Sequence, residues 1–301
     1  MKRVGQLFEQ IASRDNLRLA FWKASRGKRD RVETIAFEST LDARLRNLQA
    51  GLLEETVEVG RFHQFVVHDP KERVITAPCF EERVIHHAVM NVCEPIFERR
   101  LIDDTFACRV GRGRHAAIDR AYQFARSHDY FLKLDIRKYF DSVPHCELVD
   151  GLSRLFKDAR LMRLFERIIR SFRSDQGCGL PIGSLMSQHF ANHYLGLFDR
   201  FVKESLRVRG YVRYMDDFVL WGADSREMKN LSVACSSFLK STLRLTTKPS
   251  CINRTTHGMD FLGCRIFPHV ILLNRRSRIR FRRKLTHLLK CHSEGLITDE
   301  E

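Results

Sequence analysis

The chain has 301 residues, with 52 Lys and Arg against 37 Asp and Glu and a formal net charge of +15. That length buries a substantial core and allows one or two domains, and the positive excess points to a polyanionic partner. The nine cysteines contain no Cys-x-x-Cys pair, so neither a zinc site nor a disulfide framework is suggested. No apolar run is long enough for a signal segment or a membrane span, which fits a reducing cytoplasm and no membrane partner.

In chain order, residues 6–24 read as a helix, and residues 26–31 as a basic loop that suits a solvated turn and a phosphate contact equally. Residues 41–53 form a second helix with Leu41, Leu45, Leu48 and Leu52 on one face. Residues 64–67 and 73–76 flank 68–72 as a hairpin. Arg73 lies there, its guanidinium suited to bidentate phosphate binding or to a structural ion pair. Val84, Ile85, Ala88, Val89, Val92, Ile96 and Phe97 repeat at helical spacing and mark a buried helix, in which His86 and His87 read as packed or surface side chains rather than metal ligands. A Gly-rich basic stretch, 109–114, precedes a helix over 115–126, fitting a template track and a simple helix entry alike.

Within 131–140 a hydrophobic strand, 131–135, carries Asp135 at its end, followed by a turn and Asp141, with helices near 145–156 and 159–172. Residues 187–209 form one long amphipathic helix and 226–244 another. The alternation predicts an α+β fold with helices covering one face of an antiparallel sheet.

The most informative segment is 211–222, Tyr-Val-Arg-Tyr-Met-Asp-Asp-Phe-Val-Leu-Trp-Gly, an acidic pair inside what otherwise reads as buried strand. A hairpin displaying Asp216 and Asp217 in its turn accommodates it, and two adjacent carboxylates need a compensating partner. With Asp135, three carboxylates on two strand ends suit a divalent metal. Mg2+ takes oxygen ligands and keeps several waters, and two such ions about 3.5–4 Å apart activate a 3′-hydroxyl and stabilise a leaving pyrophosphate. Singly, each Asp is a turn residue or a solvated strand end; the set carries the reading.

Tyr214-Met215-Asp216-Asp217 resembles the catalytic box of reverse transcriptases, and Leu134-Asp135 with Tyr139-Phe140 resembles the first palm motif. Further matches follow in the family's order. Asn16-Leu17, Ala20-Phe21-Trp22 and Gly27-Lys28 resemble the N-terminal segment of bacterial, intron-like enzymes. Arg73 to Pro78 with Glu82-Arg83-Val84-Ile85-His86 resembles the first fingers motif; Phe106 to Arg109, Gly111, Gly113 and His115-Ala116-Ala117 resemble the second. Phe261-Leu262-Gly263 resembles the primer grip.

The resemblance implies a right-hand polymerase with fingers at 1–130 and 145–175, palm at 131–144 and 176–267, and a reduced or truncated thumb at 268–301. It implies a two-Mg2+ site, with Mn2+ as a substitute, at Asp135, Ile136, Asp216 and Asp217. Nucleotide contacts fall to Arg73, Phe140, Ile182, Gly183, Gln188 and Lys248. Phe140 stands at the steric gate against a ribose 2′-hydroxyl, or is a core aromatic; Lys248 matches a lysine that protonates pyrophosphate, or is a solvated loop residue. Arg275, Arg276, Arg278, Arg282 and Arg283 match the first thumb helix along an RNA/DNA duplex. Too few residues follow Gly263 for an RNase H or endonuclease domain.

The subfamily reading rests on Ile182-Gly183-x-x-x-Ser187-Gln188, where most reverse transcriptases carry Gln-Gly-x-x-x-Ser-Pro. The variant resembles the enzymes of diversity-generating retroelements, and Ile182 removes an amide able both to donate and to accept. The resemblance implies copying of a template-repeat RNA with dNTPs, errors mainly at adenines, mutagenic retrohoming into a target gene, and an accessory variability-determinant protein as partner. A host-defence or retron-like reverse transcriptase is the alternative. A non-catalytic RNA-binding subunit is a further one, against which all three acidic residues and the gate aromatic stand.

Overall fold

The structure, a computed structural model, describes residues 3–68, 72–172 and 177–296. The centre of the 68–72 turn, the end of the 145–175 segment and the end of the 268–301 segment lie outside those residues.

The first elements are α1 (Phe8–Ala12), α2 (Arg14–Ser25), α3 (Val32–Glu38), α4 (Leu41–Leu53), β1 (Phe62–His68), β2 (Glu72–Pro78), α5 (Phe80–Glu98) and α6 (Arg114–Ser127). Then come β3 (Tyr130–Asp135), α7 (Tyr139–Ser142), α8 (His145–Ser153), α9 (Ala159–Ser171), α10 (Leu185–Tyr194) and α11 (Gly196–Arg200). The last are β4 (Gly210–Tyr214), β5 (Asp217–Gly222), α12 (Ser225–Leu243), β6 (Cys251–Arg254), β7 (Met259–Phe261), β8 (Cys264–Ile266), β9 (Ile271–Leu273) and α13 (Arg275–Ser293). No helix among the described residues is long and apolar enough to cross a membrane.

Two compact units divide the chain, one gathering 1–102, 136–201 and 236–247, the other 103–135, 202–235 and 248–301. The first is mostly helical. Phe21, Phe37 and Phe80 form one aromatic cluster, and Phe97, Phe156, Phe165 and Phe190 another, mostly edge to face. Its hairpin, β1 with β2, pairs antiparallel from Phe62 opposite Pro78 to His68 opposite Glu72.

Two expected helices are interrupted. The helix expected over 6–24 breaks at Ser13, whose ψ of 144° leaves the helical region and whose hydroxyl accepts the N–H of Asn16, capping a new helix. The strand expected to end at Asp135 does so, and beyond it Lys138 adopts φ 46° and residues 139–142 turn helical. The helix expected over 187–209 is α10, α11 and a π-turn at Phe201–Ser205; Arg207 at φ 54° keeps it from continuing.

In the second unit, a four-stranded antiparallel sheet has the order β4-β5-β3-β6, and a three-stranded one runs β7-β8-β9. Ala117, Ile118, Ala121, Val212, Val219, Trp221, Met259 and Phe261 share one buried core beneath α6. Buried Asp104 anchors this side, paired with Arg120 at 2.8 Å and Lys203 at 2.9 Å.

The segment carrying Ile182 and Gly183 is fastened in the first unit. The Thr76 amide of β2 donates to the Ile182 carbonyl at 2.7 Å. Gly183 sits at φ +121°, where an added Cβ would lie 2.8 Å from Ile75 Cγ2 and 3.2 Å from the Thr76 carbonyl oxygen. Backbone strain and the close approach act together. Gly183→Ala is expected to lower unfolding free energy by about 1–3 kcal/mol, read from the urea midpoint at unchanged slope.

Candidate active site

The register of the sheet in the second unit builds the site. Asp135, the last residue of β3, lies directly opposite Asp217, the first residue of β5. Tyr214 pairs with Asp217 across the β4–β5 hairpin, so Met215 and Asp216 form a two-residue loop. Thus Asp217 begins a strand and only Asp216 occupies the turn. Met215 takes the left-handed conformation, φ 58°, a strain of about 1 kcal/mol for a residue with a Cβ. The buried Arg213 guanidinium donates to the Met215 carbonyl at 3.1 Å and braces that loop.

Charge compensation comes from lysines. The Lys248 ammonium lies 2.8 Å from Asp135 Oδ1, and its backbone N–H donates to the Asp135 carbonyl at 2.8 Å. Lys133 Nζ lies 3.2 Å from Asp217 Oδ1 and also donates to the Asp260 carbonyl at 2.9 Å. Lys133 stands opposite Val219, so it meets Asp217 on the diagonal. Among the described residues Asp216 has no ion pair. Burial, and behind it the charges of Asp135 and Asp217, push its carboxyl up to about 6, with Lys248 opposing. Burial also raises Asp217, against the pull of Lys133.

Asp217 Oδ1 is buried without an aligned hydrogen bond. A buried carboxylate oxygen without an aligned hydrogen bond, a neighbouring carboxyl whose pKa burial raises, and a third carboxylate opposite them form a donor set that fits a hard divalent cation. Among the described residues, however, no three His, Cys, Asp or Glu are gathered as a metal cluster.

The other predicted residues fall into two groups. In the first unit, Ile136 is buried and bridges to Thr247. Phe140 is half-buried, with its carbonyl accepting the Leu180 amide at 2.7 Å and its ring edge-on to Tyr139. Arg73 is exposed on β2 opposite Val67, Ile182 and Gly183 dock against the same strand, and Gln188 lies on α10. Beside Gly183 opens a cavity of about 470 Å3, lined among others by Lys28, Arg31, His63, Phe65 and Arg83. Burial, then Arg83 and Arg31, lowers the Lys28 pKa, the electrostatics of a site that accepts an anion.

In the second unit, Phe261 is buried, and Leu262 at φ 48° with Gly263 at φ 82° makes the β7–β8 turn. The Asn274 amide donates to the Gly263 carbonyl at 3.1 Å, and α13 starts from this contact, Asn274 being its N-cap. Arg275, Arg276, Arg278, Arg282 and Arg283 on α13 are all exposed.

Sequence reading missed Lys133 and Arg83. Strand alternation places Lys133 on the Asp135 face, two residues away, which was the available signal. Arg83 joins a cavity assembled by long-range contacts, for which no local pattern exists.

An antiparallel sheet with carboxylates at its facing strand ends, in a mixed helix–sheet chain, is the arrangement of right-hand polymerases. Solved structures share the fold. Apo telomerase from Candida tropicalis superposes with a TM-score of 0.57 at 11% identity, covering 72% of this chain and 49% of that one. Telomerase from Candida albicans, in complex with a TWJ fragment of telomeric RNA, gives a TM-score of 0.52 at 13% identity, over 74% and 48%. The chain belongs to the reverse transcriptase (RNA-dependent DNA polymerase) family, whose model matches residues 68–266. Protein YkfC of Escherichia coli is 26% identical over 253 residues, 69% of this chain and 65% of YkfC. The group II intron-encoded protein LtrA of Lactococcus lactis is 26% identical over 150 residues, 48% of this chain and 25% of LtrA. The chain thus spans under two thirds of the length of these curated relatives.

The Asp216 shift has a sign that melting can read. Its carboxyl holds a proton up to about pH 6 when folded and to 3.8 ordinarily, so ionisation opposes folding above about pH 6 and the penalty fades as pH falls toward 3.8. In metal-free buffer at pH 7.5, Asp216→Asn is expected to melt a few degrees higher than wild type. At pH 4 the two should converge.

Proposed function

We propose that this chain is the reverse transcriptase of a diversity-generating retroelement: an RNA-directed DNA polymerase that copies a template-repeat RNA with errors mainly at adenines, for mutagenic retrohoming into a target gene. Family membership and the facing carboxylates support the chemistry. The Ile182-Gly183 segment docked on β2 carries the finer reading.

Asp135, Asp216 and Asp217, with Ile136 beside them, are the residues to hold Mg2+, which when bound supplies Lewis-acid stabilisation of the attacking and leaving oxygens in phosphoryl transfer. The remaining work belongs to the chain. Binding and orientation hold the primer 3′-hydroxyl for in-line attack on the α-phosphate of a dNTP. Arg73 binds the triphosphate, Phe140 excludes the ribose 2′-hydroxyl, and Lys248 protonates the departing pyrophosphate. Gln188 and Gly183 shape the nucleotide pocket, while Ile182, lacking an amide, leaves the base pair less constrained. Phe261, Leu262 and Gly263 grip the primer, and the α13 arginines follow the duplex phosphates as a reduced thumb, the fingers and palm falling at the segments given above. An accessory variability-determinant protein is the proposed partner, and the cytoplasm the proposed compartment.

Similarity to YkfC and to intron-encoded proteins favours a second reading, a bacterial reverse transcriptase of another lineage. Primer extension on an adenine-containing RNA with Mg2+, with and without the accessory protein, followed by cDNA sequencing, separates them. Errors concentrated opposite adenine, reduced severalfold in Ile182→Gln, are expected. Uniformly accurate cDNA favours the second reading, and absence of cDNA synthesis in Asp216→Ala is expected under both.

A further inference from the structure

A buried polar chain in the first unit joins two segments to which nucleotide contacts are assigned. Glu82 and His86 lie one turn apart on α5, each 1% exposed, with Glu82 Oε1 3.4 Å from His86 Nε2. The other Glu82 oxygen accepts the backbone N–H groups of Gly60 at 2.8 Å and Arg61 at 3.2 Å, at the foot of the β1–β2 hairpin. On its far side, His86 Nδ1 lies 3.4 Å from the hydroxyl of Ser184, also 1% exposed. Ser184 caps α10 by accepting the Ser187 amide, and it directly follows Ile182-Gly183.

The order of groups, hydroxyl to imidazole to carboxylate, is that of a nucleophilic triad, yet burial of the serine and its use as a helix cap leave it no access to substrate. The donors instead converge on Glu82 from both sides. Ser187 N–H serves Ser184, the Ser184 hydroxyl serves His86 Nδ1, His86 Nε2–H faces Glu82, and Glu82 receives the hairpin's amides. This assignment leaves Nδ1 as acceptor and Nε2–H as the donor facing Glu82. Glu82 Oε1 and His86 Nε2 face each other without hydrogen-bond alignment and have no other hydrogen-bond partner, so the middle link is the loose one. An apolar pair would fill an α5 core position without that cost.

We propose that Glu82 and His86 are positioning residues for nucleotide binding, tying the hairpin that bears Arg73 to the loop that bears Ile182 and Gly183 so that both present one fixed pocket to the dNTP. This rests on the reading of that loop as a nucleotide contact. Neither side chain touches substrate, and both act through backbone they anchor.

The test is steady-state extension of a primed RNA by the full chain with Mg2+, varying one dNTP, for Glu82→Gln, Ser184→Ala, their double variant, His86→Ala and His86→Gln. The single variants are expected to raise KM for dNTP about tenfold, the scale of one buried hydrogen bond, with kcat within about threefold. His86→Gln, which both donates and accepts, should recover most of the loss. Glu82 and Ser184 are joined only through His86, so their double variant should raise KM little beyond the larger single effect. Wild-type KM in Glu82→Gln and Ser184→Ala, or effects that multiply, overturns the proposal. Ile182→Gln run alongside separates the failures: if it shifts KM while the anchoring variants do not, only the anchoring role falls, and if none shifts KM, the loop reading falls with it.

Discussion

Like charges cannot share a desolvated sheet end uncompensated, and the second unit is organised around that constraint. The β3–β5 register places Asp135 against Asp217, and the two-residue loop sets Asp216 beside them. A slip of one residue would send every side chain of the strand to the opposite face. The same strands are held in the core, with Leu132 and Leu134 of β3 wholly buried opposite Leu220 and Phe218, and β5 buried on both faces. The core therefore determines where the charges stand. Lys133, Lys248 and the brace from Arg213 then hold an arrangement that repulsion alone would open.

Lys133 has a second role in this economy. Its ammonium reaches both Asp217 and the Asp260 carbonyl, next to the Phe261–Gly263 turn from which α13 departs. A charge drawn from Asp217 by an arriving cation would therefore be felt at the β7–β8 hairpin. In the first unit the cavity beside Gly183 is built differently, from elements distant in sequence, and burial with the neighbouring arginines lowers its lysine's pKa against the pull of Glu33.

How much was legible depended on whether the signal was local. The α4 boundaries, the β4–β5 hairpin and the α5 stripe follow from periodicity over a dozen residues or so, and the structure reproduces them. The interruptions at Ser13 and Arg207 were not legible, because one capping serine or one left-handed residue overrides a continuing apolar pattern. Strands β6 to β9, three or four residues each, are too short for alternation to register. At the site, the acidic residues could be read because carboxylates in a buried strand are costly anomalies. The partners of Lys133, and the links from Glu82 to Gly60 and from His86 to Ser184, span long sequence separations, and only the folded chain displays them.

Helix α13 differs from every other long helix here: none of its nineteen residues is buried. Ile279, Phe281, Leu285 and Leu289 lie open alongside the arginines. A helix of that length without a packed face is only marginally stable in water, and its crowded positive charges repel one another. A polyanion laid along it would relieve that repulsion and release its own counterions at once. Helicity of this segment and salt concentration are thereby coupled, so ionic strength governs the shape of the chain's last long element as well as its affinity.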